Sequence, residues 1–154
     1  MNTINDLPVP AEQCTILQVP GDALGDYRWG VETLRSVYEL PTPFVTGKGD
    51  LQMTLTFADK SMVGYMAMRP HVMADDMLYV SGICLDEDYR GYGVAERMIA
   101  SGLDEFPGMQ RVRLFPVSRA VNFYDRLGFE MQDDGIMIAQ IPVLQERLAL
   151  AAAK

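Results

Sequence analysis

Histidine, cysteine and lysine are scarce in this sequence, and the first two scarcities exclude particular kinds of site. The 154 residues include a single histidine, His71, so a histidine pair for metal binding is excluded. The two cysteines, Cys14 and Cys84, are far apart, and neither belongs to a Cys-x-x-Cys motif. Since zinc sites and disulfide scaffolds depend on patterned cysteines, we expect no metal site and a reducing, cytoplasmic environment.

Long apolar runs and an excess of positive charge are also absent. No uninterrupted apolar stretch is long enough to cross a bilayer, and the N-terminal stretch lacks the basic start and apolar run of a signal peptide. The net charge of −8 argues against binding nucleic acid through its phosphates. With 49% hydrophobic and 22% charged residues, the composition is typical of a soluble globular protein. We therefore expect neither a membrane nor a nucleic acid as partner.

The distribution of apolar residues predicts a mixed α/β fold. Alternation or short apolar runs predict strands, and apolar residues at three- and four-residue spacing predict helices. The predicted strands cover residues 14–19, 51–57, 62–68, 77–85, 111–117, 129–132 and 136–141, with a type I′ turn at Asp134-Gly135. The predicted helices cover residues 26–40, 91–106 and 119–127, the last N-capped by Ser118, and a fraying helix follows Pro142. We expect one domain over residues 1–154, with a core at about 14–141 and a tail helix at 142–154.

One short segment, Arg90 to Ala95 (RGYGVA), combines the features of an anion-binding turn. It precedes an amphipathic helix, whose first N–H groups have no partner within the helix and lie at the positive end of its dipole. Gly91 and Gly93 let the backbone close around a phosphate, and Arg90 adds a charge-assisted bond. A plain tight turn with a solvated arginine is the alternative. The six arginines from Arg90 to Arg126 are interspersed with acids and do not predict a basic patch.

The same segment excludes two familiar nucleotide-binding signatures and resembles a third. Glu96 stands where G-x-G-x-x-G requires its last glycine, and no Walker sequence is present. The segment fits Q/R-x-x-G-x-G/A and so resembles the pyrophosphate-binding signature of the GNAT family of coenzyme A-dependent N-acetyltransferases. NFYDRLGF (122–129) is similar to the family's C-terminal signature, and MVGYMAM (62–68) to its third strand. The resemblance extends over about residues 14–141.

The resemblance implies a fold and a cofactor. The family's α/β fold has a central, mostly antiparallel sheet that is splayed at the cofactor site and carries helices on both faces. The implied cofactor is acetyl-CoA, with its pyrophosphate against Arg90, Gly91, Tyr92, Gly93, Val94 and Ala95 and its pantetheine arm along Ile83, Cys84 and Leu85. Gly82 would ease the bulge that splaying requires. Asn122 would contact the cofactor arm.

The resemblance also implies a chemistry, which is N-acetylation of a primary amine by direct attack in a ternary complex. Tyr124 matches the family tyrosine that acts as general acid towards the thiolate; packing in the core is the alternative role for this residue. A backbone N–H of the splayed strand would polarise the thioester carbonyl. The glutamate base of many relatives is missing, so Asp76 or a chain of water molecules is expected to accept the proton. Val117 stands where many relatives carry an asparagine.

The sequence indicates the acyl acceptor less specifically than the acetyl donor. The resemblance implies that it lies against residues 29–49 and the hairpin at Asp134-Gly135. The acidic and aromatic side chains of the first segment suit a cationic small-molecule or peptide amine, and they are Trp29, Glu32, Tyr38 and Phe44. Assembly into a homodimer stays open. Two other functions also stay open: a non-catalytic acyl-CoA sensor or scaffold of the same fold, and an unrelated nucleotide-binding domain.

Overall fold

The computed structural model describes residues 9–43, 51–71 and 74–153, whose strands form a seven-stranded sheet. In chain order the strands are β1 Thr15–Pro20, β2 Gln52–Ala58, β3 Ser61–Pro70, β4 Met77–Leu85, β5 Arg111–Leu114, β6 Glu130–Met131 and β7 Met137–Gln140. Their spatial order is β1-β2-β3-β4-β5-β7-β6. All neighbouring strands are antiparallel except β4 and β5, which are parallel and are connected through a helix.

Helices cover both faces of this sheet. They are α1 Tyr27–Val37, α2 Val94–Asp104, α3 Val121–Arg126 and α4 Ile141–Ala152. On one face, α1 buries Val31 against Tyr65 of β3, and we call this the α1 face. On the other, α2 and α4 bury Met98 and Leu144 against Met66, and we call this the α2 face. A mixed, mostly antiparallel sheet with helices on both faces confirms the predicted fold class.

Helix α2 lies close to the sheet because a glycine and a polar seam permit it. A Cβ on Gly102 would overlap Met66 Cε, so any other residue there would require the end of the Met66 side chain to move. The Thr54 hydroxyl on β2 accepts a 2.7 Å hydrogen bond from Gln18 Nε2. The same Gln18 nitrogen donates to the Ser101 hydroxyl of α2 at 2.9 Å. These contacts hold α2, and therefore its N-terminus, in a defined position relative to the strands.

Several predicted boundaries differ from the observed ones for local reasons. The second helix begins at Val94 instead of residue 91, because Gly91 and Gly93 have positive φ angles of 86° and 83°. Ser118 does not cap α3, whose N-cap residue is Ala120; it begins a short 3-10 turn, Ser118–Ala120. The predicted fraying tail is helix α4, whose Leu144 is fully buried. Residues 41–50, between the predicted helix at 26–40 and the predicted strand at 51–57, fall within the described residues only at 41–43.

The turn between β6 and β7 is not the predicted type I′ turn. That type requires positive φ at both central residues, and of Asp134 and Gly135 only the glycine has one, at 85°. The Gln132 carbonyl accepts from the Gly135 N–H, and the Gln132 N–H donates to the Ile136 carbonyl. This is the pattern of a three-residue hairpin loop with glycine in the left-handed position. The Asp134 carboxylate also accepts a hydrogen bond from the Ile136 N–H.

Strand β4 has the feature that positions the site. It pairs with β5 only from Met77–Arg111 to Val80–Leu114, so its last part, residues 81–85, continues beyond the end of β5. On its other side, Ala67 pairs with Gly82 and Met68 pairs with Val80, which leaves Ser81 as the extra residue of a β-bulge. The sheet therefore opens after Val80, as expected for a splayed sheet, and we call this opening the β4–β5 gap.

Candidate active site

The turn before α2 presents an open backbone surface. Gly91 and Gly93 both adopt left-handed φ angles, and a Cβ added to either would meet no atom within 4 Å. The glycines are therefore required by backbone conformation and not by crowding. No side chain caps α2, whose first intrahelical bond runs from the Arg97 N–H to the Gly93 carbonyl. The N–H groups of Val94 and Ala95 thus belong to the unpaired first turn of a helix, which favours an anion.

Arg90 is held beside this turn by two contacts. Its Nε donates a 2.9 Å hydrogen bond to the Leu85 carbonyl at the end of β4. Its guanidinium lies 4.9 Å from the centre of the Tyr38 ring, and the Tyr38 hydroxyl accepts from the Glu87 N–H at 2.9 Å. Because the side chain is anchored through Nε and the ring, its charge stays at the end of the β4–β5 gap.

Along β4 beside the gap, successive peptide groups point alternately towards β3 and towards the gap. This alternation distinguishes Ile83, Cys84 and Leu85, the three strand residues predicted to contact the cofactor. The Asp86 N–H donates to the Val63 carbonyl and so faces β3. Since peptide groups alternate along an antiparallel strand, those of Cys84 also face β3, and those of Ile83 and Leu85 face the gap. The bond from Arg90 to the Leu85 carbonyl agrees with this assignment.

Cys84 is a packed residue and not an exposed nucleophile. Its side chain is buried on the α1 face beside Tyr65. Burial raises the pKa of the thiol to about 11, while the positive charges of Arg90 and Arg119 oppose that increase. The thiol is therefore neutral at pH 7 and unreactive. The pKa also reveals that Arg119, which was not singled out in the sequence, contributes positive potential at this end of the gap.

The bulge in β4 is in contact with the segment that follows α1. The Ser81 hydroxyl donates a 2.9 Å hydrogen bond to the Pro43 carbonyl. A Cβ on Gly82 would lie 2.7 Å from the Pro43 Cβ, so glycine is needed there for close approach as well as for the bulge. Part of the segment expected to border the acceptor therefore lies directly on the bulge.

Tyr124 and Asn122 lie on α3 in different environments. Tyr124 is 5% exposed and packs edge-on against Phe123 and Phe129. Burial raises its pKa to about 12, so the phenol is protonated at neutral pH. Asn122 is exposed on the surface of the helix. Both roles suggested for Tyr124, hydroxyl donor and core aromatic, are compatible with this position, and Asn122 remains a predicted contact.

Asp76 is poorly suited to act as a general base. Its carboxylate forms a 3.0 Å ion pair with Arg111, and this hydrogen bond lowers its pKa. It also precedes the part of β4 that pairs with β5, so it lies about four residues, roughly 13 Å along the strand, from the start of the gap at Val80. A carboxylate that is paired and more acidic than usual has little tendency to accept a proton at neutral pH.

A basic cluster that the sequence did not reveal lies on the α1 face. Strand β5 buries Val112 and Leu114 on the α2 face, so Arg111 and Arg113 point to the α1 face. Arg69 of β3 points to the same face, because its neighbour Met68 is buried on the other. The expectation that no basic patch forms concerned only Arg90 to Arg126, and Arg69 joins this surface from outside that stretch. The alternation R-V-R-L in β5 was the available signal, but Arg69 is distant in the sequence.

Two of the four residues expected to favour a cationic acceptor, Glu32 and Tyr38, are engaged in other contacts. Glu32 forms a 3.0 Å ion pair with Arg35 on α1. The Tyr38 ring is in contact with the Arg90 guanidinium. Trp29 is 79% exposed on the outer side of α1. Phe44 lies outside the described residues. Glu32 is therefore not an unpaired negative charge facing a substrate.

Two other kinds of feature are absent from the described residues. Over residues 9–43, 51–71 and 74–153, no helix combines the length and apolarity needed to span a membrane. Within the same ranges, no group of three or more histidine, cysteine, aspartate or glutamate side chains is arranged to hold a metal ion.

The glycine turn, the uncapped N-terminus of α2 and the β4–β5 gap define a class: an α/β protein in which an uncapped helix N-terminus follows the strand whose edge borders the gap. A family model described as an acetyltransferase (GNAT) domain matches residues 52–131, a range that contains both the turn and the gap. The chain belongs to the GNAT acetyltransferase family. No curated protein matches it.

Solved structures share the fold at low sequence identity. An acetyltransferase from Thermus thermophilus is 15% identical, with a TM-score of 0.62 over 82% of this chain and 96% of that one. An aminoglycoside acetyltransferase from an uncultured soil metagenomic sample, in complex with trehalose, is 12% identical, with a TM-score of 0.59 over 74% and 86%. N-acetylglutamate synthase from Neisseria gonorrhoeae, complexed with coenzyme A and N-acetyl-glutamate, is 14% identical, with a TM-score of 0.63 over 82% of this chain but 35% of that one. At these identities the likeness establishes the fold alone.

Proposed function

We propose that this protein is a single-domain enzyme that transfers an acetyl group from acetyl-CoA to a primary amine, by direct attack within a ternary complex. The observation that carries the proposal is the juxtaposition of two backbone surfaces, the uncapped N-terminus of α2 and the edge of β4 at residues 81–85, which pairs with no strand among the described residues on the β5 side. Membership of the GNAT acetyltransferase family supports the reaction class. A coenzyme A-complexed protein with the same fold supports the choice of donor.

The residues present fit a coenzyme A pyrophosphate. The turn of Gly91, Tyr92 and Gly93 leaves room for a bulky anion, and the N–H groups of Val94 and Ala95 are available to it. A helix N-terminus contributes about 0.3–1 kcal/mol per negative charge, and up to about 2 kcal/mol when partly buried. Arg90 adds its charge at the end of the same groove. These six consecutive residues, 90–95, are the proposed pyrophosphate site.

The free edge of β4 fits the amide-containing arm of the cofactor. The peptide groups of Ile83 and Leu85 face the gap, and an extended chain with amide groups pairs with such an edge as an additional strand does. Cys84 is adjacent, but its peptide groups face β3. We therefore assign the polar contacts to Ile83 and Leu85. Asn122 is a further proposed contact of the same arm.

Bound acetyl-CoA supplies an activated thioester. In the proposed mechanism Tyr124 donates a hydrogen bond to the sulfur as negative charge develops there. Since burial raises the pKa of Tyr124 to about 12, above the value of about 8.5 for a free thiol, complete proton transfer is uphill. The phenol acts best by hydrogen bonding, and bulk water supplies the proton afterwards. An N–H of the bulged segment polarises the thioester carbonyl.

Water is the proposed route for the proton that leaves the amine. The one carboxylate suggested by the sequence, Asp76, is paired with Arg111 and has a lowered pKa. An amine that enters in its neutral form needs no strong base before attack, because the proton is released only as the new bond forms. Water reaching the mouth of the gap can accept that proton.

The paired state of Asp76 also favours one alternative, a non-catalytic acyl-CoA sensor or scaffold. Both functions require coenzyme A binding, and only the enzyme releases free thiol from acetyl-CoA when amines are present. The test combines calorimetric titration of coenzyme A with a thiol-release screen over amino acids, polyamines, aminoglycosides and peptides. Binding with amine-dependent thiol release supports the enzyme, and binding with no release across the panel supports the sensor. Failure to bind coenzyme A contradicts both, and competition by ATP or NAD instead would indicate a nucleotide-binding domain.

A further inference from the structure

A row of paired residues crosses three strands at the closed end of the β4–β5 gap. Arg69 of β3 pairs with Tyr79 of β4, and Tyr79 pairs with Arg113 of β5. Paired residues share a face of the sheet, and adjacent strands are about 4.8 Å apart. The two arginines therefore flank Tyr79, with Cα atoms roughly 10 Å apart. The Arg113 guanidinium lies 5.9 Å from the centre of the Tyr79 ring, which confirms the shared face.

His71 completes this group, which we call the arginine cluster (Arg69, His71, Tyr79 and Arg113). The His71 ring packs edge-on against Tyr79, with 6.2 Å between ring centres. Its Nε2 lies 3.1 Å from Arg113 Nη1. Burial, together with the charges of Arg113 and Arg69, lowers the pKa of His71, so the ring is neutral at pH 7. A neutral Nε2 accepts a hydrogen bond from Arg113 and orients its guanidinium.

The carboxylates of the described residues nearest the cluster do not neutralise its positive charge. Asp76 is paired with Arg111. Glu130 lies on the same face but two strands beyond Arg113, through Ile138, and is exposed. Across the part of the chain that the structure describes, neither Arg69 nor Arg113 has a carboxylate within ion-pair distance.

Buried nitrogens without partners give the second observation. The Nε atoms of Arg69 and Arg113 are buried and have no hydrogen-bond partner among the described residues. Buried donors are normally satisfied by a protein group, by water or by an ion. The buried Nε of Arg111 also has no hydrogen-bond partner, although Arg111 is paired with Asp76 through Nη2, so the Nε atoms of Arg69 and Arg113 support an anion site only together with the absence of a described carboxylate beside them. The planar fork of an arginine matches the two oxygens of a carboxylate or a phosphate.

The position of the cluster relates it to acyl transfer. The pair Tyr79–Arg113 immediately precedes Val80–Leu114, the last pair before the gap opens. One residue along a strand is about 3.3 Å. An anionic group held between Arg69 and Arg113 would therefore lie one or two residues from the point where the two strands separate, which leaves space for a short linker and an amine.

We propose that the arginine cluster binds the carboxylate or phosphate of the acyl acceptor, so that the substrate is a small amine carrying an anionic group. This inference rests on the proposed function, whose acceptor it specifies. It replaces the cationic acceptor expected from the acidic composition. The net charge of the chain describes its whole surface, whereas binding depends on the local charge, which is positive here.

Two experiments test the inference separately from the proposed function. The first measures binding alone: propionate and inorganic phosphate are titrated into the protein while arginine Nε–H NMR signals are followed. We expect the Arg69 and Arg113 signals to shift, and that of Arg147, an exposed arginine on α4, to stay unchanged. Absence of a shift with both anions overturns the inference. A shift with only one of them identifies the anion class, and it supports the site even if no amine is ever acetylated.

The second experiment measures turnover with matched amines, β-alanine against its amide and 2-aminoethyl phosphate against ethanolamine. We expect a higher kcat/KM for the anionic member of at least one pair. Arg69→Gln and Arg113→Gln should raise its KM roughly 10- to 100-fold and leave the neutral member unchanged; Arg147→Gln is the control. Acetylation of neutral or cationic amines that is insensitive to both variants refutes the acceptor assignment while leaving the acetyltransferase function intact.

Discussion

Gly93 precedes α2 in the left-handed conformation, and replacing it with glutamate is the sharpest test of the pyrophosphate site. Its φ is 83°, and holding a residue with a side chain in this left-handed conformation costs about 1–2 kcal/mol. A Cβ there would meet no atom within 4 Å, so no steric clash adds to this strain. For a domain of this size the free energy of unfolding should fall enough to lower Tm by roughly 2–8 °C.

The effect of Gly93→Glu on cofactor affinity should be larger than its effect on folding. The new carboxylate would lie at the N-terminus of α2, where the pyrophosphate is proposed to bind. Two like charges about 5 Å apart repel by about 3 kcal/mol at an effective dielectric constant of about 20. That corresponds to a loss of roughly 100-fold in affinity. We expect the Kd for coenzyme A, measured by calorimetry, to rise by about this factor.

Gly108→Glu is the matched control. Gly108 has a φ of 91°, and an added Cβ there would also meet no atom within 4 Å. It follows the C-terminal end of α2, so the substitution introduces the same strain and the same charge away from the turn. We expect a similar fall in Tm with nearly wild-type affinity for coenzyme A. If the two variants bind coenzyme A equally well, the turn is not the pyrophosphate site.

Three further predictions concern chemistry and packing. Tyr124→Phe should lower kcat about 100-fold with little change in coenzyme A affinity, whereas Tyr89→Phe, which removes another buried hydroxyl, should not; equal thiol-release rates reject the role. Because burial raises the pKa of Tyr124 to about 12, kcat should show no alkaline decline from this group under mildly basic conditions. Asp76→Asn should leave kcat near wild type, and a large loss would restore Asp76 as the base. Gly102→Ala should destabilise the fold by about 1–3 kcal/mol because its Cβ overlaps Met66, and an unchanged Tm in calorimetry would contradict this packing.

The pH dependence of stability gives Asp76 a second, independent test. Its pKa is lowered in the folded state by Arg111, below the usual value of 3.8. The contribution of the pair is therefore complete above that value and is lost as pH falls through the lowered pKa. Asp76→Asn should make acid unfolding less steep in this range. An unchanged acid profile would mean that the ion pair contributes nothing to stability in solution.

The fold class could be predicted because its signals are local. The apolar–polar alternation in β2 and the four-residue spacing of apolar residues in α2 each arise because one face of the element packs against the core. The errors arose where a neighbour decided the outcome. The Asp134-Gly135 pair matched a type I′ turn. The hydrogen bonds that Gln132 accepts from Gly135 and donates to Ile136 instead close a longer loop. Ser118 is a good cap residue in isolation, yet the chain begins a 3-10 turn there instead.

The residues of the proposed cofactor site differ in how far the sequence alone could identify them. The turn at residues 90–95 is one contiguous segment, so its glycines and its arginine could be recognised together. The strand residues could not be told apart, because the direction of each peptide group depends on pairing with β3. Only the register shows that Ile83 and Leu85 face the gap while Cys84 does not. These assignments remain predictions for the binding experiments above.

The sequence by itself determined the elements of this protein and the glycine turn before α2, since glycine conformation, helix polarity and apolar periodicity act within a few residues. Tertiary structure decided which charges meet. Asp76 and Arg111 are 35 positions apart and became partners only when β5 aligned with β4. Arg69 and Arg113 lie on different strands, and the sheet register brings them to either side of Tyr79. Electrostatic interactions depend on distance in space, and that distance is set by strand pairing between remote segments.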